Sequence, residues 1–216
     1  MHKDHRLTAT RLLGSAVVAL IACVGASARA QTIVDEWSSV QAPPAPQLKA
    51  AKVEPRTTAL LVLDMVKATC NNERRPRCVQ SIPKVEKLLT DARAKGVAVV
   101  YSLTSTTTPA DILPQLAPKN GEPNVKASVD KFMNTDLDKI LKDKGVQTVI
   151  VVGTTAEGAV LYTASAAALR GYNVVVPVEG STSGTPYGEA VTAWTLANAP
   201  GVSAKMTLTK VDMITY

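Results

Sequence analysis

An α/β fold with a mostly parallel sheet between two layers of helices is the architecture this sequence predicts, and three features predict it. Several short runs, among them TTALLVLD (57–64), VAVVYSL (97–103) and VQTVIVVG (146–153), are almost continuously apolar, as expected of strands buried on both faces. Between them lie segments with leucine or alanine at helical spacing. Strand and helix patterns then alternate along the chain, which implies βαβ crossovers.

Taken in order, the strand over 57–64 ends in a carboxylate, Asp64. Pro83 suits the first turn of a helix continued by VEKLLTDARAKG (85–96) and stopped at Gly96. The strand over 97–103 leads into a Thr-, Pro- and Gly-rich surface loop from Thr104 to Asn124, with one turn around DILPQL. A helix over 135–145 is expected from Thr135 at its N-cap, early Asp136 and Asp138, and late Lys142 and Lys144. The strand over 146–153 precedes an alanine-rich helix over 157–170. YNVVVPVE is a further strand, PYGEAVTAWTLANA a helix, and AKMTLTKVDMI contains at least part of a last strand. In such sheets ligands bind beyond the carboxyl ends of the strands. Three polar groups fall there: Asp64, the turn GTTAEG, and Glu179 with the loop STSGT.

Residues 1–30 read as a signal peptide. A basic leader, an apolar run shorter than the ~20 residues of a membrane span, and the small-x-small closure Ala28-Arg29-Ala30 carry that reading. The expectation is export to the periplasm or medium, with no membrane association after cleavage. Residues 31–57, which include QAPPAPQLKA, are expected to form an extended N-terminal arm, and residues 58–216 a single domain. From residue 31 onward there are 20 basic and 17 acidic residues, so the net charge falls from +6 to +3. That mild excess, with no arginine-rich tract beyond Arg74-Arg75-Pro76-Arg77, argues against nucleic acid as a partner.

Both histidines and Cys23 lie in the leader. A chain cleaved there has no histidine for a triad or a zinc site, and no cofactor is expected. Cys70 and Cys78, eight residues apart across NNERRPR in an exported protein, suggest a local disulfide; two unpaired thiols are the alternative.

Asp64, at the rim of an apolar sheet, suits a general acid or base, or a carboxylate that caps nearby backbone. Lys126, in PNVKASVDKF, is a candidate to steady it, and Lys131 competes for that role. The turn over 153–158 offers N–H groups to an oxyanion. Its glycines lack the spacing of a dinucleotide or P-loop site, and they serve tight packing equally well.

The set LLVLDMV, KASVDKFMNTDL and VVGTTAEGAVLYTASAAALRGYNVVVPVEG resembles the isochorismatase-like cysteine hydrolase superfamily in order and spacing, over nearly all of the chain from about Thr58. The resemblance implies a parallel six-stranded sheet, a homodimer or larger homo-oligomer, and a small-molecule substrate. It implies an Asp at Asp64, and a Lys at Lys126, six residues before the aromatic Phe132. It also implies a non-proline cis peptide at Thr155-Ala156, and a substrate pocket with Thr155, Ala156, Gly158, Ala159 and Phe132 in its lining. The nucleophilic cysteine of the family falls at Ala159.

Acyl transfer through a thiolate at this turn is therefore not expected. Isochorismatases proper resemble the same pattern without that cysteine and split an enol ether by acid chemistry. Glu157 stands near a position where they tend to carry His; it could activate water or cap the helix start. The expected activity is a hydrolase of small carbonyl or enol-ether compounds using Asp64, Lys126 and Glu157. The competing readings are an inactive member that binds small molecules, and a partner-binding role centred on the arm.

Overall fold

A computed structural model describes residues 32–216. The expected leader over 1–30 lies outside the described residues. The chain divides into two units, Met1–Ala42 and Pro43–Tyr216. In the first, the described part is a single helical turn, α1 (Ile33–Glu36), extended by a 3₁₀ turn over Trp37–Ser39. Asp35 reaches back to the Thr32 amide and hydroxyl, both at 2.9 Å, and closes a capping box.

The second unit begins with the proline-rich segment, which does more than lie extended. The Lys49 amide donates to the Leu208 carbonyl, and β1 (Ala51–Lys52) pairs in parallel with the last strand of the chain. β2 (Thr58–Leu63) is buried at every position and ends at Asp64. α2 (Pro76–Ala94) starts a full two turns earlier than expected, so Pro83 sits inside it. Pro76 occupies the first turn, where a missing N–H costs nothing, and Cys78 is tied to Cys70. Closing that short loop limits the unfolded chain and is worth about 2–3 kcal/mol.

β3 (Ala98–Leu103) follows. The long loop after it holds 3₁₀ turns at Pro109–Asp111 and Pro114–Leu116, then a short strand absent from the sequence reading, β4 (Asn124–Lys126). α3 (Leu137–Asp143), β5 (Thr148–Thr154), α4 (Leu161–Leu169), β6 (Asn173–Pro177), β7 (Ser181–Thr182), α5 (Pro186–Asn198), β8 (Met206–Thr209) and β9 (Ile214–Thr215) complete the domain. The main sheet is parallel, in the order β4-β3-β2-β5-β6-β8, with β7 added beside the end of β5.

Strand alternation divides the interior into two layers. Leu60 and Val62 of β2, with Ile150 and Val152 of β5, meet Ile82, Val85, Leu88 and Leu89 of α2. Leu61, Leu63, Val149 and Val151 face the other way, onto α3, α4 and α5 through Leu137, Leu141, Ala164, Ala167 and Leu196. The result is a three-layer α/β/α fold. No described helix is long and apolar enough to cross a membrane.

The chain leaves β2 toward β3 on one side, and later returns to β5 on the other. That reversal is the topological switch point, where parallel sheets open a crevice. Gly153 makes the closest backbone approach there: its φ is +142°, and an added Cβ would lie 2.2 Å from the Leu63 carbonyl oxygen. Gly171, also at positive φ, has nothing within 4 Å. Gly153→Ala is therefore expected to lower stability by about 3 kcal/mol or more, against about 1 kcal/mol for Gly171→Ala, read from urea midpoints. Equal losses would contradict this account of the β2–β5 contact.

Candidate functional site at the β2–β5 switch point

Asp64 leaves β2 with φ +52°, a left-handed conformation that aspartate tolerates better than most residues. This turns the chain off the sheet while its amide still donates to the Ser102 carbonyl of β3. Its side chain is 10% exposed and its carboxylate is held at both oxygens. Ser102 Oγ donates to Oδ1 at 2.7 Å, and Lys131 Nζ donates to Oδ2 at 2.6 Å.

Lys131 has no exposed surface. The loop between β4 and α3 curls around its ammonium, which also donates to the Ala127 carbonyl at 3.2 Å and to the Ser128 carbonyl. Three N–H groups thus meet three acceptors, the full complement of an ammonium. Thr163 of α4 pins the loop from outside: it accepts from the Lys131 amide and donates to the Val129 carbonyl, each at 3.2 Å. Removing either charge of such a pair leaves the other buried and uncompensated, which typically costs about 3–5 kcal/mol.

Lys126, expected beside Asp64, is not the lysine found there. It ends the edge strand β4, whose residues alternate exposed, buried, exposed. Val125 takes the inward position, so Lys126 points outward and is exposed. Phe132 is likewise not a lining residue. It is buried against Tyr172, ring centroids 6.1 Å apart, under the Arg170 guanidinium at 4.6 Å. Because Phe132 anchors in the core, its neighbour Lys131 is directed to the opposite side of the loop.

The segment after β5 carries a non-proline cis peptide, at Thr154–Thr155, one residue before the expected Thr155-Ala156 bond. A π-helical turn over Ala156–Val160 then leads into α4. Ala156 and Ala159 are buried, and Thr155 and Gly158 are half-buried. A Cβ on Gly158 would fall 2.6 Å from Thr155 Oγ1, so a side chain there would disturb the turn. Glu157 is exposed, and its Oε1 accepts from Ser183 Oγ at 2.7 Å rather than from its own helix start. The network continues from the Ser183 amide to Glu189, 3.1 Å away, and from Glu189 to Arg77, whose guanidinium that carboxylate pushes up from its usual range. It ties the starts of α2, α4 and α5 together at the carboxyl edge of the sheet.

The sequence alone assigns no site role to Ser102 or Arg75. Ser102 was visible as the one small polar residue in an apolar strand. Arg75 was visible as a cation between paired cysteines. Glu179, flagged as a rim carboxylate, instead pairs with Lys84 at 3.1 Å. Ser181 Oγ and Thr182 Oγ1 of β7 are buried without hydrogen-bond partners. Both cysteines among the described residues are joined, with Cα atoms 5.3 Å apart, as the sequence suggested. No group of three or more metal-binding side chains occurs among the described residues. A surface cleft of about 390 Å³ between Pro43, Pro44 and Lys49 and the α5 residues Trp194 and Asn198 shares no residue with the Asp64 cluster. The chemistry assigns the candidate site to Asp64.

The chain is similar to known proteins. The chain is 30% identical to an N-carbamoylsarcosine amidase of Arthrobacter sp. over 126 residues, covering 45% of this chain and 48% of that one. It is 33% identical to a secreted isochorismatase effector of Verticillium dahliae over 107 residues, covering 44% and 56%. It thus spans about half the length of the curated relatives it matches. An isochorismatase-like hydrolase from Alkaliphilus metalliredigens superposes with a TM-score of 0.65 at 25% identity, over 72% of this chain and 95% of that one. The isochorismatase domain model matches residues 58–207, from the start of β2 into β8, and the chain belongs to the isochorismatase family.

Proposed function

We propose that this protein is an exported hydrolase of small carbonyl or enol-ether compounds that works by acid/base chemistry without a covalent intermediate. The observation that carries the proposal is the buried Asp64–Lys131 pair at the sheet's switch point. Ala159 stands where cysteine hydrolases of the family place their nucleophile, and the two cysteines among the described residues are committed to a disulfide. Export follows from the leader pattern over 1–30, and a disulfide suits an oxidising compartment. The secreted relative from Verticillium points the same way.

A carboxylate contacted at 2.6 Å by an ammonium is placed to accept a proton, which favours carbonyl substrates over enol ethers. Asp64 takes a proton from water as the water oxygen bonds to the carbonyl carbon, and the carbonyl electron pair moves onto oxygen. Of the segment 156–160, the Gly158 and Val160 amides are taken up by the Thr155 carbonyl, so the Ala156 and Glu157 N–H groups are the ones assigned to the developing charge. The tetrahedral species then collapses; the bond to the leaving group breaks, and that group takes the proton held by Asp64. Lys131, with all its N–H groups engaged, orients the carboxylate and offsets its charge. Glu157 is held by Ser183 and takes no part in the proton transfer.

Asp64→Asn is expected to cut turnover at least about 100-fold in a panel of amides, carbamoyl compounds, esters and enol ethers. Lys126→Ala is expected to stay within about twofold of wild type, with unfolding midpoints recorded for each protein. Turnover of no panel member by the wild-type protein, or activity retained by Asp64→Asn, would overturn the proposal.

A further inference from the structure

The loop between β2 and α2 presents a guanidinium to the site that the mechanism above leaves unused. Cys70–Cys78 closes this loop, and within it the Arg75 amide donates to the Asn71 carbonyl at 2.8 Å. Arg75 Nη1 donates to the Thr69 carbonyl at 2.9 Å, while the Thr69 hydroxyl donates to the carbonyl of Asp64 itself. Through Thr69, Arg75 is therefore tied to the backbone of Asp64, the residue that carries the proposed base.

Arg75 is half-buried, yet no carboxylate lies within 4 Å of it among the described residues. Its other guanidinium N–H groups make no hydrogen bond there. Burial and then Arg74 pull its guanidinium down from the usual range, and Glu157 and Asp64 act in the opposite sense, so it lies within electrostatic range of both. Both carboxylates are engaged elsewhere, Asp64 with Lys131 and Ser102, and Glu157 with Ser183. A half-desolvated guanidinium with free donors is matched best by a planar carboxylate, which it can grip through two parallel N–H bonds.

We propose that Arg75, presented by the Cys70–Cys78 loop, is a specificity-determining residue that binds a carboxylate of the substrate while the bond to be cleaved lies against Asp64. This rests on the reading of the Asp64–Lys131 pocket as the substrate site. It narrows the substrate class to small carboxylic acids bearing a second, hydrolysable group. Lys131 offsets the charge of Asp64 at 2.6 Å, so a substrate anion meets little repulsion from that side.

Binding, rather than turnover, tests the proposal. Acetate, pyruvate and benzoate are titrated into the oxidised protein alongside acetamide, pyruvamide and benzamide, and affinities are read by calorimetry or amide chemical shifts. The best carboxylate is expected to bind at least about tenfold tighter than its amide. Arg75→Gln should abolish that preference, Arg75→Lys should keep part of it, and Arg74→Gln, the same charge change on an exposed neighbour, should keep it all. Asp64→Asn, by leaving the Lys131 charge uncompensated, should tighten carboxylate binding severalfold. If Asp64→Asn shifts carboxylate affinity and Arg75→Gln, folded as judged by its unfolding midpoint, does not, the role of Arg75 is overturned while the pocket stands. If no probe binds, or neither substitution matters, the pocket reading fails and the proposal with it.

Discussion

A lysine with no exposed surface is tolerable in this protein only because a carboxylate meets it, and the architecture at the carboxyl edge of the sheet serves that contact. The β4–α3 loop wraps its own carbonyls around the Lys131 ammonium, and Thr163 locks the loop to α4. β3 lends Ser102 to the second carboxylate oxygen. β2 contributes Asp64 in a left-handed turn that aims it along the crevice rather than into either core layer. Four elements distant in sequence thus converge on one charge pair. A pair this buried adds little net stability over an apolar replacement, while losing one partner is expensive. Its presence in the protein is better explained by chemistry than by folding.

The same edge carries a second polar system, from Arg77 through Glu189 and Ser183 to Glu157. Arg75 lies within electrostatic range of a carboxylate from each system, Glu157 and Asp64. Each carboxylate of these systems is held by fixed partners of its own. Arg75 also ties the disulfide loop to the chemistry, because it is carried by the loop that Cys70 and Cys78 close.

Much of the fold was legible in the sequence because strands buried on both faces write continuous apolar runs, and β2, β3, β5 and β6 all do so. β4 was not, since three residues behind a proline, only one of them buried, make no periodic signal. The start of α2 was misplaced because RRPRC reads as a turn when Pro76 is not recognised as a first-turn residue. Within the site, Asp64 was legible as a carboxylate ending an apolar strand. Lys131 was displaced by Lys126, because choosing between them needs the alternation of β4 and the anchoring of Phe132, which only the fold supplies. Ser102 stands out in the sequence only as a small polar residue in an apolar strand; periodicity does not say which strands are neighbours, so its approach to Asp64 was not legible.

The account turns on the energetic coupling of Asp64 and Lys131, and a double-mutant cycle measures it most directly. Unfolding free energies of wild type, Asp64→Asn, Lys131→Met and the double variant are compared in urea. The buried pair predicts that the double variant loses less stability than the two single losses combined, by at least about 2 kcal/mol. Losses that add to within about 0.5 kcal/mol would show that the two side chains do not depend on each other, and would contradict the site as described.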